Sequence, residues 1–321
     1  MSVIDTSSIP AAAPGPAIQS PASPTLARVA TMVASGLSSQ VGAAAGAHAF
    51  GAIGPAGVVA VRQLVAAVVL LPLARPNVRR MTRAQWWPTL LLAVVFATMN
   101  LSLFIAIDRI GLGLAVTLEF LGPLGVAIAS SRSRVHILAA FSAAVGVYVL
   151  VLPGPSSDYI GIGLALLAAA SWASYILLNR TVGARLPGLQ APAIATSLSA
   201  LLYLPVLFGL TTQGLLHGLP LFYAITAGVL SSVVPYAADL IVLRHVPPRF
   251  FGTFMSMHPV WAALAGLVLL DQVPATHVWI GIAVIALSNV IAVVTVHTGP
   301  VPAGGRSERT RSAEVAVGEP C

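Results

Sequence analysis

Lysine is absent from this sequence, and all 16 of its basic residues are arginine. With the high alanine content, that bias points to a GC-rich coding genome. Charge of either sign is scarce, at 8% of 321 residues against 57% apolar. Soluble domains carry about 25% charged residues, so this chain cannot clothe a water-facing surface, and lipid must cover it. The one cysteine, Cys321, is the last residue. This excludes a disulfide framework and a thiolate metal site, and the C-terminus does not fit a prenylation box. The pI near 10.5 does not imply nucleic acid, because the arginines stand in ones and twos between apolar runs and form no patch. There is no HExxH, no GxSxG, no Walker A loop, no pair of intramembrane aspartates and no aspartate-rich diphosphate site. Enzymatic chemistry is therefore not expected, nor is a metal or a cofactor.

What the sequence has is length in its apolar runs. A helix needs about 20 apolar residues to cross a hydrocarbon core about 30 Å thick. Ten runs of that order occur, at 29–49, 55–74, 87–107, 111–130, 136–153, 160–178, 190–210, 220–243, 251–270 and 277–297. Residues 1–25, rich in Pro, Ala and Ser, read as a disordered tail with no cleavable leader, and 299–321 as a second one. With the first tail inside the cell, Arg75, Arg79, Arg80, Arg83, Arg132, Arg134, Arg180, Arg185, Arg244 and Arg249 fall in cytoplasmic loops and Arg109 alone outside. This asymmetry predicts a multi-pass protein of the bacterial plasma membrane with both termini cytoplasmic. Gly42 and Gly46 in GxxxG spacing predict close helix packing. Trp86, Trp87 and Trp279 fit the interfacial aromatic belts.

The segment TLEFLGPLGVA from Thr117 aligns with TFMSMHPVWAA from Thr253, pairing Thr117 with Thr253 and Pro123 with Pro259. That offset is half the hydrophobic region. Five spans per half make the second half enter the bilayer in the opposite sense. The expected fold is thus an all-α membrane protein of two inverted five-helix repeats, 26–153 and 160–297, with a central site for alternating access.

Each ionisable group within a span needs a partner or a task, since a charge at the helix centre costs about 2.5–3.5 kcal/mol. Arg62 and Glu119 lie about 10 and 12 Å below the outer ends of their spans at about 1.5 Å per residue, and Asn100 shares that layer. Arginine's planar fork suits a carboxylate, and Glu119 could take an ammonium group or a proton. An amino-acid zwitterion fits that pair, while the bland alternative is a permanent ion pair locking two helices. In the second half, Asp239 and His258 lie in the inner leaflet; an interfacial carboxylate beside Arg244 and a hydrogen-bonded neutral imidazole are their bland readings. Trp172 and Tyr175 sit too deep for an aromatic belt and are expected either to pack or to line the cavity. Pro123, Pro235 and Pro259 shape helices or hinges.

At GPAGVVAVR ending at Arg62, MNLSLFIAI from Met99, GLGLAVTLEFLGPLGVAIASSR, SWASYIL, VPYAADL and FGTFMSMHP, the chain resembles the drug/metabolite transporter superfamily. Within it, the resemblance is to the ten-helix EamA-type carriers, and among these to the threonine and homoserine exporters. It runs from about residue 30 to 297, with LEFxGPL its most specific element. The resemblance implies proton-linked export of small amino acids from the cytoplasm. Two positions depart from those exporters, which carry glutamate where this chain has His258 and Asp239. Efflux of a drug or secondary metabolite is the rival within transport, and a membrane assembly or sensor subunit without flux is the rival outside it. The expected partners are a small amino acid or analogue, protons and the bilayer, with a homodimer left open.

Overall fold

The computed structural model of the chain describes residues 24–129, 134–152, 157–183, 185–186, 190–235, 238 and 255–296. Among these residues every element of secondary structure is helical. The helices are α1 (Pro24–Ala47), α2 (Phe50–Ala74), α3 (Arg83–Ile110), α4 (Leu112–Glu119), α5 (Leu121–Ala129), α6 (Arg134–Val151), α7 (Tyr159–Gly183), α8 (Gln190–Leu202), α9 (Leu204–Thr212), α10 (Gly218–Gly228), α11 (His258–Leu269) and α12 (Thr276–Val296). A single π turn, Val229–Val233, continues α10. The expected tails lie outside the described residues but for the first turn of α1, which already begins at Pro24. Asp239 and the loop arginines Arg132, Arg244 and Arg249 also lie outside them.

The apolar runs each fall on one helix or on two successive ones, and the breaks have local causes. The run 111–130 is divided at Phe120 into α4 and α5, three residues before Pro123, whose ring and missing N–H interrupt the helical ladder. The run 190–210 bends by 46° between α8 and α9, with Pro205 at the start of the second piece. By length and hydropathy, Phe50–Ala74, Arg83–Ile110, Leu112–Ala129 and Tyr159–Asn179 can each cross a membrane, and α8–α9 taken together is a fifth such span. The remaining apolar helices Ile137–Val151, Gly218–Val233, His258–Leu269 and Thr276–Ile291 are shorter.

Helix ends are closed by specific bonds. Thr82 and Gln85 form a capping box at the start of α3, and Gln85 also donates to the Arg185 carbonyl at 2.9 Å. At the other end of α3, Gly111 takes a left-handed φ of 83°. The next N–H, that of Leu112, donates to Gln272 Oε1 at 2.9 Å, tying this turn to the α11–α12 connection. Asp158 accepts from Gly161 N–H at the start of α7 and pairs with Arg109 at the end of α3.

Helix α3 packs on α7 and α8, α6 on α12, α2 on α8 and α10, α4 on α11 and α7, and α1 on α10, α11 and the π turn. The GxxxG pair does what its spacing predicts: a Cβ on Gly42 would stand 2.7 Å from Ser231 N, and one on Gly46 2.9 Å from Val58. Polar side chains inside this core return their protons to the preceding turn, as Asn100 does to the Phe96 carbonyl and Ser102 to that of Thr98. Such back-bonding satisfies a hydroxyl or amide where no water is at hand. Large apolar side chains such as Phe208 and Phe141 are instead exposed on the outside, where a bilayer would cover them.

Candidate functional site

A cavity of about 180 Å³ opens at the centre of the helices, lined from α1, α2, α3, the α4–α5 break, α7, the π turn and the start of α11. Arg62, Asn100, Glu119, Trp172 and His258, five of the residues singled out from the sequence, share this cavity. Among its contacts, Arg62 donates to three neutral acceptors. Its Nη1 donates to Asn100 Oδ1 at 2.7 Å, Nε to Ser232 Oγ at 3.0 Å and Nη2 to the Ser231 carbonyl at 3.2 Å. Its guanidinium also lies 5.1 Å from the Phe104 ring centroid, within cation–π range. The third bond has a local cause, since the residue four beyond Ser231 is Pro235, which has no N–H to offer that carbonyl.

Glu119 is the last residue of α4 and is buried, at 6% exposure. It stands close enough to Arg62 for the two charges to interact. Phe120, at the break, packs edge-on against Trp172 with 4.6 Å between ring centroids and lies 5.5 Å from the His258 ring. His258 opens α11 and meets Gln40 of α1, with 3.2 Å between Nδ1 and the Gln40 amide nitrogen.

Tyr175 is not on the cavity wall. It stacks on Phe96 at 6.0 Å and belongs to the small cluster around Leu92, Ala93 and Val182. Three residues along a helix from Trp172, it sits a turn away from the site. Sequence reasoning also passed over Gln40, Ser39, Ser231 and Ser232. Gln40 had a readable signal, since it is a lone amide amid the small and apolar residues of the first span.

The threonine/homoserine exporter RhtA of Salmonella typhimurium (strain LT2) is 33% identical to this chain over 256 residues, covering 79% of this chain and 85% of its own length. The chain belongs to the EamA-like transporter family. The family's own match spans residues 159–294, the stretch from α7 into α12. The Escherichia coli (strain K12) RhtA exporter is 34% identical over 236 residues, covering 73% of this chain and 80% of its own. A Bacillus subtilis (strain 168) uncharacterized transporter, YwfM, is 25% identical over 215 residues, covering 64% of this chain and 73% of its own. A protein of known crystal structure superposes with a TM-score of 0.53 at 16% identity, covering 83% of this chain and 97% of its own, so the two share an overall fold. This EamA-like transporter is therefore a multi-pass membrane protein that moves small molecules, and its relatives are carriers rather than enzymes. In this cavity two charged side chains from different helices, Arg62 of α2 and Glu119 of α4, converge.

Proposed function

We propose that the chain exports small amino acids, threonine and homoserine first among them, through the central cavity. The observation that carries this reading is the convergence of Arg62, Glu119 and Asn100 on one buried space. Arg62 offers a fork for the substrate carboxylate, and Glu119 receives the ammonium group or, in exchange, a proton. The cavity's size favours this over drug efflux, since sites for drug-sized ligands occupy about 300–1,000 Å³, against about 180 Å³ here.

The carrier works by alternating access between two inverted five-span halves. The packing supports that reading. If each span is matched with the one five places later, the contact of α3 with α7 exchanges with that of α10 with α1. By the same rule, α3 on α8 exchanges with α10 on α2, and α4–α5 on α7 with α11 on α1. The pairs α2 with α8, α4 with α11 and α6 with α12 exchange with themselves. The matched breaks, at Phe120 and just before Pro259, both border the cavity. Loop contacts fit ten alternating spans as well. Gln85 meets Arg185, both expected in the cytoplasm, while Arg109 meets Asp158 and Leu112 meets Gln272 on the expected outer face.

The test is counterflow of labelled threonine into proteoliposomes. Wild-type protein is expected to exchange threonine and homoserine, and Glu119→Gln to insert normally yet lose exchange altogether. Wild-type flux from that variant would remove Glu119 from the mechanism.

A further inference from the structure

The polar wall of the cavity has two unlike parts. Around Arg62 and Glu119 it is charged, which suits the two ends of a zwitterion. At α1 and the start of α11 it is neutral, made by Gln40 with His258 beside it. Gln40 is 5% exposed, so its amide cannot be explained as solvated. With the Gln40 amide nitrogen facing Nδ1, the bond has one sense, because an NH2 group only donates. In this orientation of the amide, Nδ1 accepts and the ring proton is on Nε2. This bond uses one of the two amide protons and leaves the other, together with Oε1, on a side chain that lines the cavity.

The place has been shaped for this pair. A Cβ on Gly36, one helical turn before Gln40, would stand 3.2 Å from His258 Nε2, so the bare glycine makes room for the ring. Phe120 covers the ring from the other side. An imidazole seated between α1 and Phe120 holds the Gln40 amide in one orientation and presents a fixed acceptor and donor side by side.

We infer that Gln40, oriented by His258, is the side-chain subsite of the carrier and selects substrates bearing a hydroxyl. A hydroxyl is at once donor and acceptor. It gives its proton to Oε1 and accepts the free amide proton, whereas a methyl group in its place leaves both amide atoms buried without partners. Sites that hydrogen-bond a substrate hydroxyl reject the analogue lacking it far more strongly than apolar pockets discriminate by size. Gln40 is thus a specificity residue and His258 a positioning residue. The inference rests on the amino-acid export reading, which supplies the carboxylate and ammonium contacts at the charged end.

Competition in proteoliposomes tests it. Labelled threonine counterflow is inhibited with unlabelled threonine or with valine, the isostere in which a methyl replaces the hydroxyl. Wild-type protein is expected to prefer threonine by about tenfold or more. Gln40→Met, close to glutamine in size but without a donor or acceptor oxygen, should bring that ratio to within about threefold of one, because threonine loses more than valine. His258→Phe, which keeps a ring in the space but removes Nδ1, should lower the ratio in the same direction, and decides the matter alone if Gln40→Met fails to reach the membrane. A ratio unchanged in these variants, or equal losses for both solutes, overturns the subsite assignment while leaving export intact. Wild-type protein that exchanges no amino acid overturns the export reading itself, and the subsite with it.

Discussion

Arginine and lysine would not be equivalent at position 62. A lysine there keeps the charge but cannot reach Asn100, Ser232 and the Ser231 carbonyl together, because it lacks the planar fork with its several fixed donors. Arg62→Lys is expected to lower threonine counterflow at least about tenfold, and Arg62→Ala to abolish it; unimpaired exchange from the lysine variant would show that charge alone suffices. The aromatic pair gives a second contrast. Trp172→Ala opens the cavity wall where Phe120 leans on it and should raise the threonine concentration needed for half-maximal exchange, whereas Tyr175→Leu, a turn away, should lower thermal stability and leave that concentration within about twofold. At this scale the sequence was informative about depth and poor about direction. Arg62, Asn100 and Glu119, singled out because a charge in lipid has to be explained and their depths agreed, line one cavity. Tyr175 was grouped with Trp172 because both lie deep, yet depth says nothing about which side of a helix a ring faces. Gln40 was passed over because an uncharged amide raises less alarm than a carboxylate.

Among the elements, the junction of α3 with α7 rests on a carboxylate whose charge matters. The Gly161 N–H bond to Asp158, reinforced by the Arg109 guanidinium, holds this carboxyl below the usual aspartate range against the opposing effect of desolvation. A group depressed in this way contributes above its unfolded pKa of about 3.9, and the contribution is lost as pH falls through its lower folded value. Asp158→Asn keeps an oxygen for Gly161 and removes only the charge. Its thermal midpoint in detergent should therefore lie slightly below wild type at pH 7, with the gap closing as pH falls below about 4, where wild-type aspartate itself becomes neutral. A gap that persists undiminished at low pH would assign the effect to something other than ionisation. The apolar runs located most helices to within a few residues, since hydropathy and flanking arginines mark both ends. The break at Phe120 was half-visible in Pro123. The contacts of the π turn with Arg62 and Gly42 could not be read from the sequence, because both arrive from other helices.

For the whole molecule, the alternation of arginines makes a claim that hydropathy alone does not. Alkaline phosphatase fused after Asp158 or Gln272 should be active, and fused after Asn77 or Arg185 inactive, if the odd-numbered connections lie outside the cell. Activity on both sides of that division would break the ten-span count and, with it, the inverted relation of the two halves. The case for an internal repeat was legible from one pair of segments, Thr117–Ala127 and Thr253–Ala263. The exchange symmetry of the helix contacts was not, because it belongs to pairs of spans far apart in the chain.

The polar contacts of Arg62 bear on the half of a carrier's cycle in which nothing is carried. An exporter must come back empty, and a bare guanidinium in lipid surroundings would resist that journey or demand an anion as companion. Here Asn100, Ser232 and the Ser231 carbonyl each accept a hydrogen bond from the fork, and Glu119 is near enough to share its charge. In the proposed cycle the protein's own groups take the place of a departing substrate, and the carrier can turn round without freight.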